Sequence, residues 1–334
     1  MSSSYSSPLL VNLLILLLLL VLLTCVSCHQ QLHNSTTTQI QILLEVKKSF
    51  HPHNNNNNNN NNNLLLRDWS QDNPNLCTWT GVSCTTTPTA QLVGLNLSGC
   101  SIKGSISPAL GLLPNLLHLD LSSNHLSGPI PPALSNLSSL ESLFLFSNQL
   151  SGPIPPQLGS LHNLQVLRIG DNPLLTGPIP SSFGNLQNLV TLGLASCALT
   201  GPIPTQLGNL SLLQNLVLQD NRLQGPIPPH LSNCSTLLVF TAALNQLNGS
   251  IPSQLGALTH LHLLNLANNT LSEEIPPHLG HMSQLQYLNL LGNQLRGPIP
   301  KPLTYLINLQ NLDLSANILT GEIPGEFGSM GQLL

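Results

Sequence analysis

The sequence predicts an α/β repeat solenoid, with short parallel strands stacked into a concave sheet and a helical, disulfide-bridged cap at the N-terminal end. Three observations carry that prediction. A pattern of leucines around one asparagine recurs every 24 residues through most of the chain, and a helix-forming, cysteine-bearing stretch precedes the first repeat. Hydrophobic residues make up 41% of the chain and charged residues 6%, enough apolar material to bury a core. A length of 334 residues would suggest two or three domains, but a repeat array grows as one continuous body.

Residues 1–28 read as a secretory signal peptide. Leu9 to Leu23 form an apolar run broken by Asn12, and Thr24-Cys25-Val26-Ser27-Cys28 supplies small residues for cleavage. Such a run of about fifteen residues is short for a membrane span and suits a signal core. The n-region lacks Lys and Arg, and an N-terminal anchor is the alternative. Export through the secretory pathway is expected, to the outer side of the plasma membrane or to free secretion. It puts the seven cysteines in an oxidising compartment. Cys100, Cys197 and Cys234 fall inside repeats, where Cys behaves as a small hydrophobe. Cys77 and Cys84, in NLCTWTGVSC, are expected to be bridged, worth roughly 2–3 kcal/mol of loop entropy.

Residues 29–90 form the cap. Thr38-Gln39-Ile40-Gln41 reads as a capping box opening a helix to about Phe50, with Ile40, Leu43, Leu44 and Phe50 facing inward. Ten asparagines, Asn54 to Asn63, then interrupt it. A homopolymer of this kind buries no apolar area and is expected to be a floppy insertion (54–63). Leu64 to Trp69 resumes the cap, and the bridge with Trp79 closes it over the first repeat.

Residues 91–334 hold ten repeats and the first residues of an eleventh. The pattern L-x-x-L-x-L-x-x-N-x-L-x-G-x-I-P places its Asn or Cys at Cys100, Asn124, Asn148, Asn172, Cys197, Asn221, Asn245, Asn269, Asn293 and Asn317. The spacing is 24 throughout except for 25 between Asn172 and Cys197. The extra residue makes Pro173-Leu174-Leu175 a local bulge. This is a leucine-rich-repeat superhelix. In Leu119-Asp120-Leu121 and Leu312-Asp313-Leu314 the leucines point inward from a short strand and the residue between them points out. The repeated Asn satisfies backbone groups that the following turn leaves unpaired, each worth roughly 1–3 kcal/mol if orphaned. Gly-x-Ile-Pro supplies a tight turn and a core isoleucine. Glu273 in place of that Gly, and Ser107 in place of the Pro, predict local looseness. Leu333 occupies the first leucine position of the next repeat, so the chain reads as truncated.

The register lists the concave face: residues six, four, two and one before each ladder position. It contains Phe144 and Phe146, then Val166, Arg168 and Asp171, then Val217, Gln219 and Asp220, and later Val239, Leu263, Tyr287 and Leu291. Aromatics are 3% of the chain, so outward aromatics beside charged groups mark an interaction surface. Sequons occur at Asn34, Asn96, Asn136, Asn209, Asn233, Asn248 and Asn268. Glycans are expected at Asn136, Asn209 and Asn233 on the convex side, whereas Asn96 and Asn268 lie on or beside the concave face.

Catalysis finds no support. His260 with His262 and His278 with His281 supply too few converging ligands for a metal site. No nucleophile elbow, phosphate loop or kinase motif is present. No cofactor is implied. A net charge of −4 leaves no basic footprint for nucleic acid.

The cap run LLEVKKSF…LRDWSQDNPNLCTWTGVSC and the G-x-I-P repeats resemble the extracellular domains of plant leucine-rich-repeat receptor kinases. More narrowly, ALSNLSSLESLFLFSNQL, LRIGDN, LASCALTGPIP, NCSTLLVFTAALNQLNG and MSQLQYLNLLGNQL resemble the GASSHO-type receptor kinases, from Ile40 to Leu334. That resemblance implies a receptor for small secreted, tyrosine-sulfated peptides, partnered by a somatic-embryogenesis-type co-receptor kinase. The asparagine run and the absence of later repeats, a span and a kinase depart from the family pattern. The alternative is a free-standing secreted defence protein of polygalacturonase-inhibitor type. Against it stands the lack of a C-terminal cysteine cap.

Deleting Asn54 to Asn63 is expected to leave the melting temperature unchanged or slightly raised, because closing a long loop costs entropy. A large drop on calorimetry would contradict this.

Overall fold

The computed structural model describes residues 37–51, 66–86 and 90–333. The expected leader (1–28), the Asn34 sequon and the asparagine run (54–63) lie outside the described residues.

Each repeat contributes an inner strand, such as Ser142–Phe144 or Val166–Arg168, that pairs in parallel with the next in strict register. Leu143, Leu167 and Leu192, at the centres of three successive strands, are fully buried. Eleven such strands form the inner sheet among the described residues, beginning with Val82–Cys84 of the cap, which pairs antiparallel with Leu92–Asn96.

The repeat pattern predicts one sheet, and the structure has two. The x-Leu-x-Gly segment after each ladder residue, as in His125–Gly128 and Arg222–Gly225, is itself a strand. Eleven outer strands stack among the described residues, the first being Phe50–His51, antiparallel to Lys103–Ser105. The repeat glycine takes the left-handed conformation, φ +80° at both Gly128 and Gly225, which costs a residue without Cβ nothing. A five-residue 3-10 turn such as Pro132–Asn136 then returns the chain.

The ladder asparagines tie each repeat to the one before. Asn148 Nδ2 donates to the carbonyls of Leu121 (2.9 Å) and Leu145 (3.2 Å), and its Oδ1 accepts the Leu126 amide (2.9 Å). The same acceptor bond recurs from Ile102 to Asn124 and from Leu150 to Asn172, and on through Leu295 to Asn317. Cysteine replaces asparagine at two ladder positions, Cys100 and Cys197. Cys100 follows the cap. Cys197 follows the expected bulge, where the outer-strand register shifts between Asn172 and Thr176. There Leu174 is pushed outward at 57% exposure and Leu175 takes the core position at 0%. The Cys100 thiol donates to the Ser98 carbonyl (3.4 Å) and the Cys197 thiol to the Ala195 carbonyl (3.5 Å), with the Asn172 backbone also hydrogen-bonded to the Cys197 sulfur.

Neither expected loosening is seen in the backbone. Ser107 holds φ −71° and ψ 130°, close to the −67° and 129° of Pro131 at the equivalent place, and its hydroxyl caps the Ala109 amide. Glu273 sits at φ +68°, a strained region for a residue with Cβ. Its strand nevertheless stays in register with Gln294, Leu295 and Arg296, and its carboxylate pairs with Arg296.

In the cap a helix runs over residues 37–49. It is already helical at Thr37, so Thr38 is inside it and not its cap, and Phe50 begins a strand. The inward stripe is Ile42, Leu43, Val46 and then Phe50. Ile40 and Leu44, expected to face fully inward, are only partly buried against the core, because the stripe is turned by one residue. Trp69 and Trp79 stack at 5.6 Å with a 26° interplanar angle, and their indole N–H groups reach the Thr80 carbonyl (2.9 Å) and the Asn73 carbonyl (3.1 Å). Cys77 and Cys84 are bridged, with Cα atoms 5.7 Å apart. The bridge fastens the strand that covers the first edge of the inner sheet.

Asn148→Ala orphans the buried Leu126 amide, while the Leu121 and Leu145 carbonyls keep Asn124 and Asn172 as donors, and is expected to cost about 1–3 kcal/mol in a denaturant melt.

Candidate functional site

The inner sheet aims the four outward positions of each repeat at one surface. Across the strands, Phe144 lies opposite Arg168, and Arg168 opposite Gly193. Phe144 and Phe146 are half-buried and meet edge to face, with centroids 6.3 Å apart at 88°. The Arg168 guanidinium carbon sits 4.4 Å from the Phe146 ring centroid, a cation–π contact that holds the head group in place. Among the described residues no carboxylate pairs with Arg168.

Glycines open the space around it. A Cβ on Gly193 would stand 3.3 Å from Arg168 Cγ, and one on Gly170 would stand 2.7 Å from the Ala195 carbonyl oxygen. The resulting hollow is about 380 Å³ and is lined by Phe144, Val166, Arg168, Asp171 and Val217 together with Gly170, Thr191, Gly193, Ala195 and Asn215. Five of the nine expected binding residues thus line one cavity, and Phe146 adjoins it through Arg168. Gln219 and Asp220 continue the repeat of Val217 without lining the cavity. Tyr287 lies three repeats further on, half-buried, with its hydroxyl accepting from Asn289 Nδ2 at 3.0 Å. The small residues of the lining carry no chemistry of their own. Their only signal in the sequence is glycine at outward strand positions, where a larger residue normally packs.

Asp171 is exposed on the rim, at φ +54°, and accepts from the Ser147 hydroxyl at 3.4 Å. Burial pushes the Cys197 thiol up to about 11, and the carboxylates of Asp171 and Asp220 add to that shift. Burial likewise takes the Cys234 thiol up to about 11.

Asn136, Asn209 and Asn233 occupy one equivalent position, each the exposed last residue of a 3-10 turn. Asn96 ends an inner strand, its Oδ1 accepting from the Ser98 amide (3.0 Å) and hydroxyl (2.8 Å). Among the described residues no three His, Cys, Asp or Glu side chains converge as a metal site requires, and no helix is long and apolar enough to cross a membrane.

A stacked parallel sheet with an aromatic and cationic cavity on its inner face defines a repeat-built binding scaffold. Residues 36–85 match the leucine rich repeat N-terminal domain, and residues 90–150 together with six segments between 163 and 330 match the leucine rich repeat. The chain belongs to the leucine-rich-repeat family. Its similarity runs to plant receptor kinases of the GASSHO type. Over 79 residues it is 59% identical to the LRR receptor-like serine/threonine-protein kinase GSO1 of Arabidopsis thaliana, a stretch covering 24% of this chain and 6% of that protein. The crystal structure of the Arabidopsis thaliana GASSHO1/SCHENGEN3 ectodomain, in complex with Casparian strip integrity factor 2, aligns at 62% identity and a TM-score of 0.82, covering 88% of this chain and 34% of that one. The Arabidopsis receptor kinase HAESA, solved with the peptide hormone IDA and the co-receptor SERK1, aligns at 34% identity and a TM-score of 0.67, covering 88% and 52%. The chain thus spans about a third of the solved GASSHO1 ectodomain.

At pH 8 a thiol with a pKa near 11 is about one part in a thousand thiolate. Cys197 and Cys234 are therefore expected to resist iodoacetamide in the folded protein and to react once it is unfolded, as read by peptide mass mapping.

Proposed function

We propose that this chain is the ligand-binding extracellular region of a plant leucine-rich-repeat receptor kinase, and that it recognises a small secreted peptide along its inner sheet. The observation that carries the reading is Arg168, held over Phe146 in an inner-face cavity with its charge free of any carboxylate among the described residues. A planar guanidinium fixed in this way is a ready donor to a ligand anion. The finer proposal is that the anion is a tyrosine sulfate, with Phe144 and Phe146 forming a shelf for the aromatic ring that bears it. Val166, Asp171, Val217, Gln219 and Asp220 complete the surface. Relatives with 62% and 34% identity support peptide recognition, through complexes with Casparian strip integrity factor 2 and with IDA. These relatives are receptor ectodomains and do not favour the free-standing inhibitor.

A co-receptor kinase of the somatic-embryogenesis type is the proposed partner, as SERK1 is for HAESA. The proposed location is the extracellular side of the plasma membrane. Glycans at Asn136, Asn209 and Asn233 would then sit on the 3-10 turns, off the inner sheet.

Titration of the chain with sulfated and unsulfated Casparian strip integrity factor 2 tests the site. Phe146→Ala and Arg168→Ala are each expected to lose about 2 kcal/mol or more, roughly thirtyfold in Kd. The sulfated peptide's advantage should vanish in Arg168→Ala. Binding by both folded variants within about twofold of the parent would overturn the assignment.

A further inference from the structure

The outer strands carry a column of prolines. Pro153, Pro178, Pro202 and Pro226, each following an outer-strand glycine, lie against the glycine of the next repeat. A Cβ on Gly201 would stand 3.6 Å from Pro178 Cβ, and one on Gly249 would stand 3.8 Å from Pro226 Cβ. Then the column breaks. Ser250 and Glu274 replace two prolines in succession, and Glu273 replaces the glycine before the second, after which Gly297 and Pro298 resume the pattern. An open groove of about 810 Å³ lies at the break. Pro226, Ile227 and Pro252 give it an apolar wall, and Glu273, Glu274 and Arg296 give it a charged one. It shares no lining residue with the Arg168 cavity.

The backbone demands neither acid. Every other repeat has glycine where Glu273 stands at φ +68°, and a side chain there is held against its own preference. The pairing of the acids is also unexpected. Arg296 lies directly opposite Glu274 in the parallel ladder, whereas Glu273 lies opposite Leu295. Cross-strand attraction alone would join Arg296 to Glu274. The guanidinium pairs with Glu273 instead, and among the described residues no cation pairs with Glu274. The Glu274 side chain lies over the next repeat, its Oε1 3.0 Å from where a Cβ on Gly297 would stand. One engaged arginine and one unpaired carboxylate thus face the apolar wall. A metal ion needs more ligands than this, and among the described residues no three His, Cys, Asp or Glu converge. A basic side chain suits both walls, its stem on the prolines and its head on the carboxylate.

We infer that this groove is a second interaction surface, which takes a lysine or arginine side chain from an extended segment of a partner protein. Glu274 is the acid that contacts it. Glu273 is a positioning residue, which occupies Arg296 and so keeps the Glu274 carboxylate open to the partner. The groove lies on the outer strands and not on the inner sheet, so the inference stands independently of the inner-face peptide reading.

The probe is a synthetic peptide of prolines and isoleucines around one central arginine, titrated by fluorescence anisotropy against the whole chain. Its control carries citrulline, which keeps the shape and loses the charge. The arginine peptide is expected to bind about fivefold more tightly than the control, an advantage that shrinks as salt is added. Glu274→Gln is expected to erase that advantage and leave the citrulline peptide unchanged, and Arg168→Ala to alter neither. Glu273→Gly supplies the residue the backbone favours, so the melting temperature is expected to rise. Binding of the arginine peptide is nevertheless expected to fall about fivefold, because Arg296 turns to Glu274. Adding Arg296→Ala is expected to restore it. A residue that served the fold alone would move stability and binding in the same direction. Equal binding of the two peptides, failure of both to bind the parent, or full affinity in Glu274→Gln would overturn the groove as a site. A loss in Arg168→Ala would place the peptide on the inner sheet and overturn it too. No loss in Glu273→Gly, or a loss that Arg296→Ala does not reverse, would remove the role given to Glu273.

Discussion

The buried carboxamide of the ladder asparagine is the constraint on which the rest of the molecule depends. One side chain satisfies a carbonyl of its own repeat, a carbonyl of the repeat before and an outer-strand amide of the repeat before. It has no freedom left, and neither has the chain around it. Every repeat must present the same groups at the same offsets, which is why the 24-residue spacing is kept with one slip. Burying these groups unpaired would cost roughly 1–3 kcal/mol each, so register errors are heavily penalised.

Fixed pitch has a consequence for recognition. Outward residues at one register position line up in columns across the sheet, a strand spacing apart. A ligand crossing the strands meets one column entry per repeat, and neighbouring entries can act together. Arg168 shows how. Phe146 in the preceding repeat holds it, and Gly193 in the following repeat leaves room beneath it. Only 8 of the 334 residues are Lys or Arg, so long-range steering is weak. Affinity must come from a few anchors fixed before the ligand arrives.

Much of this was legible from residues alone. The repeat, the ladder, the bulge at Leu174 and the outward register all follow from periodicity, the Cys77–Cys84 bridge follows from two close cysteines in an exported cap, and the structure agrees with each. The outer sheet was not legible. Its strands, such as Arg222–Gly225, are four residues with a glycine inside, too short for alternation to register and bearing a residue depleted in strands. The cap stripe was displaced because Ile42 and Leu43 are adjacent, so two helical phases fit the pattern equally well. The cavity was half legible. Its charged and aromatic walls stand out by chemistry, whereas Gly170 and Gly193 contribute by what they lack. Glu273 misled for a different reason. Residue type forecasts strain, but whether strain loosens a strand depends on neighbours, and here a parallel partner and Arg296 hold it.

The ladder also sets apart what the fold imposes from what a ligand imposes on the same surface. The left-handed residue before each ladder position is demanded by the turn, so a rim of serine, aspartate, asparagine and glycine is the fold's own requirement. Asp171 and Asp220 satisfy that requirement and need no ligand to account for them. Arg168 stands at a position the turn leaves unconstrained, where any outward side chain would serve the fold equally. Its identity, and that of Phe146 beneath its guanidinium, is therefore free to be set by what binds. Ranking concave residues by how little the backbone demands of them separates a rim from a recognition surface more sharply than charge or exposure does, because both of those are shared by residues the turn alone explains.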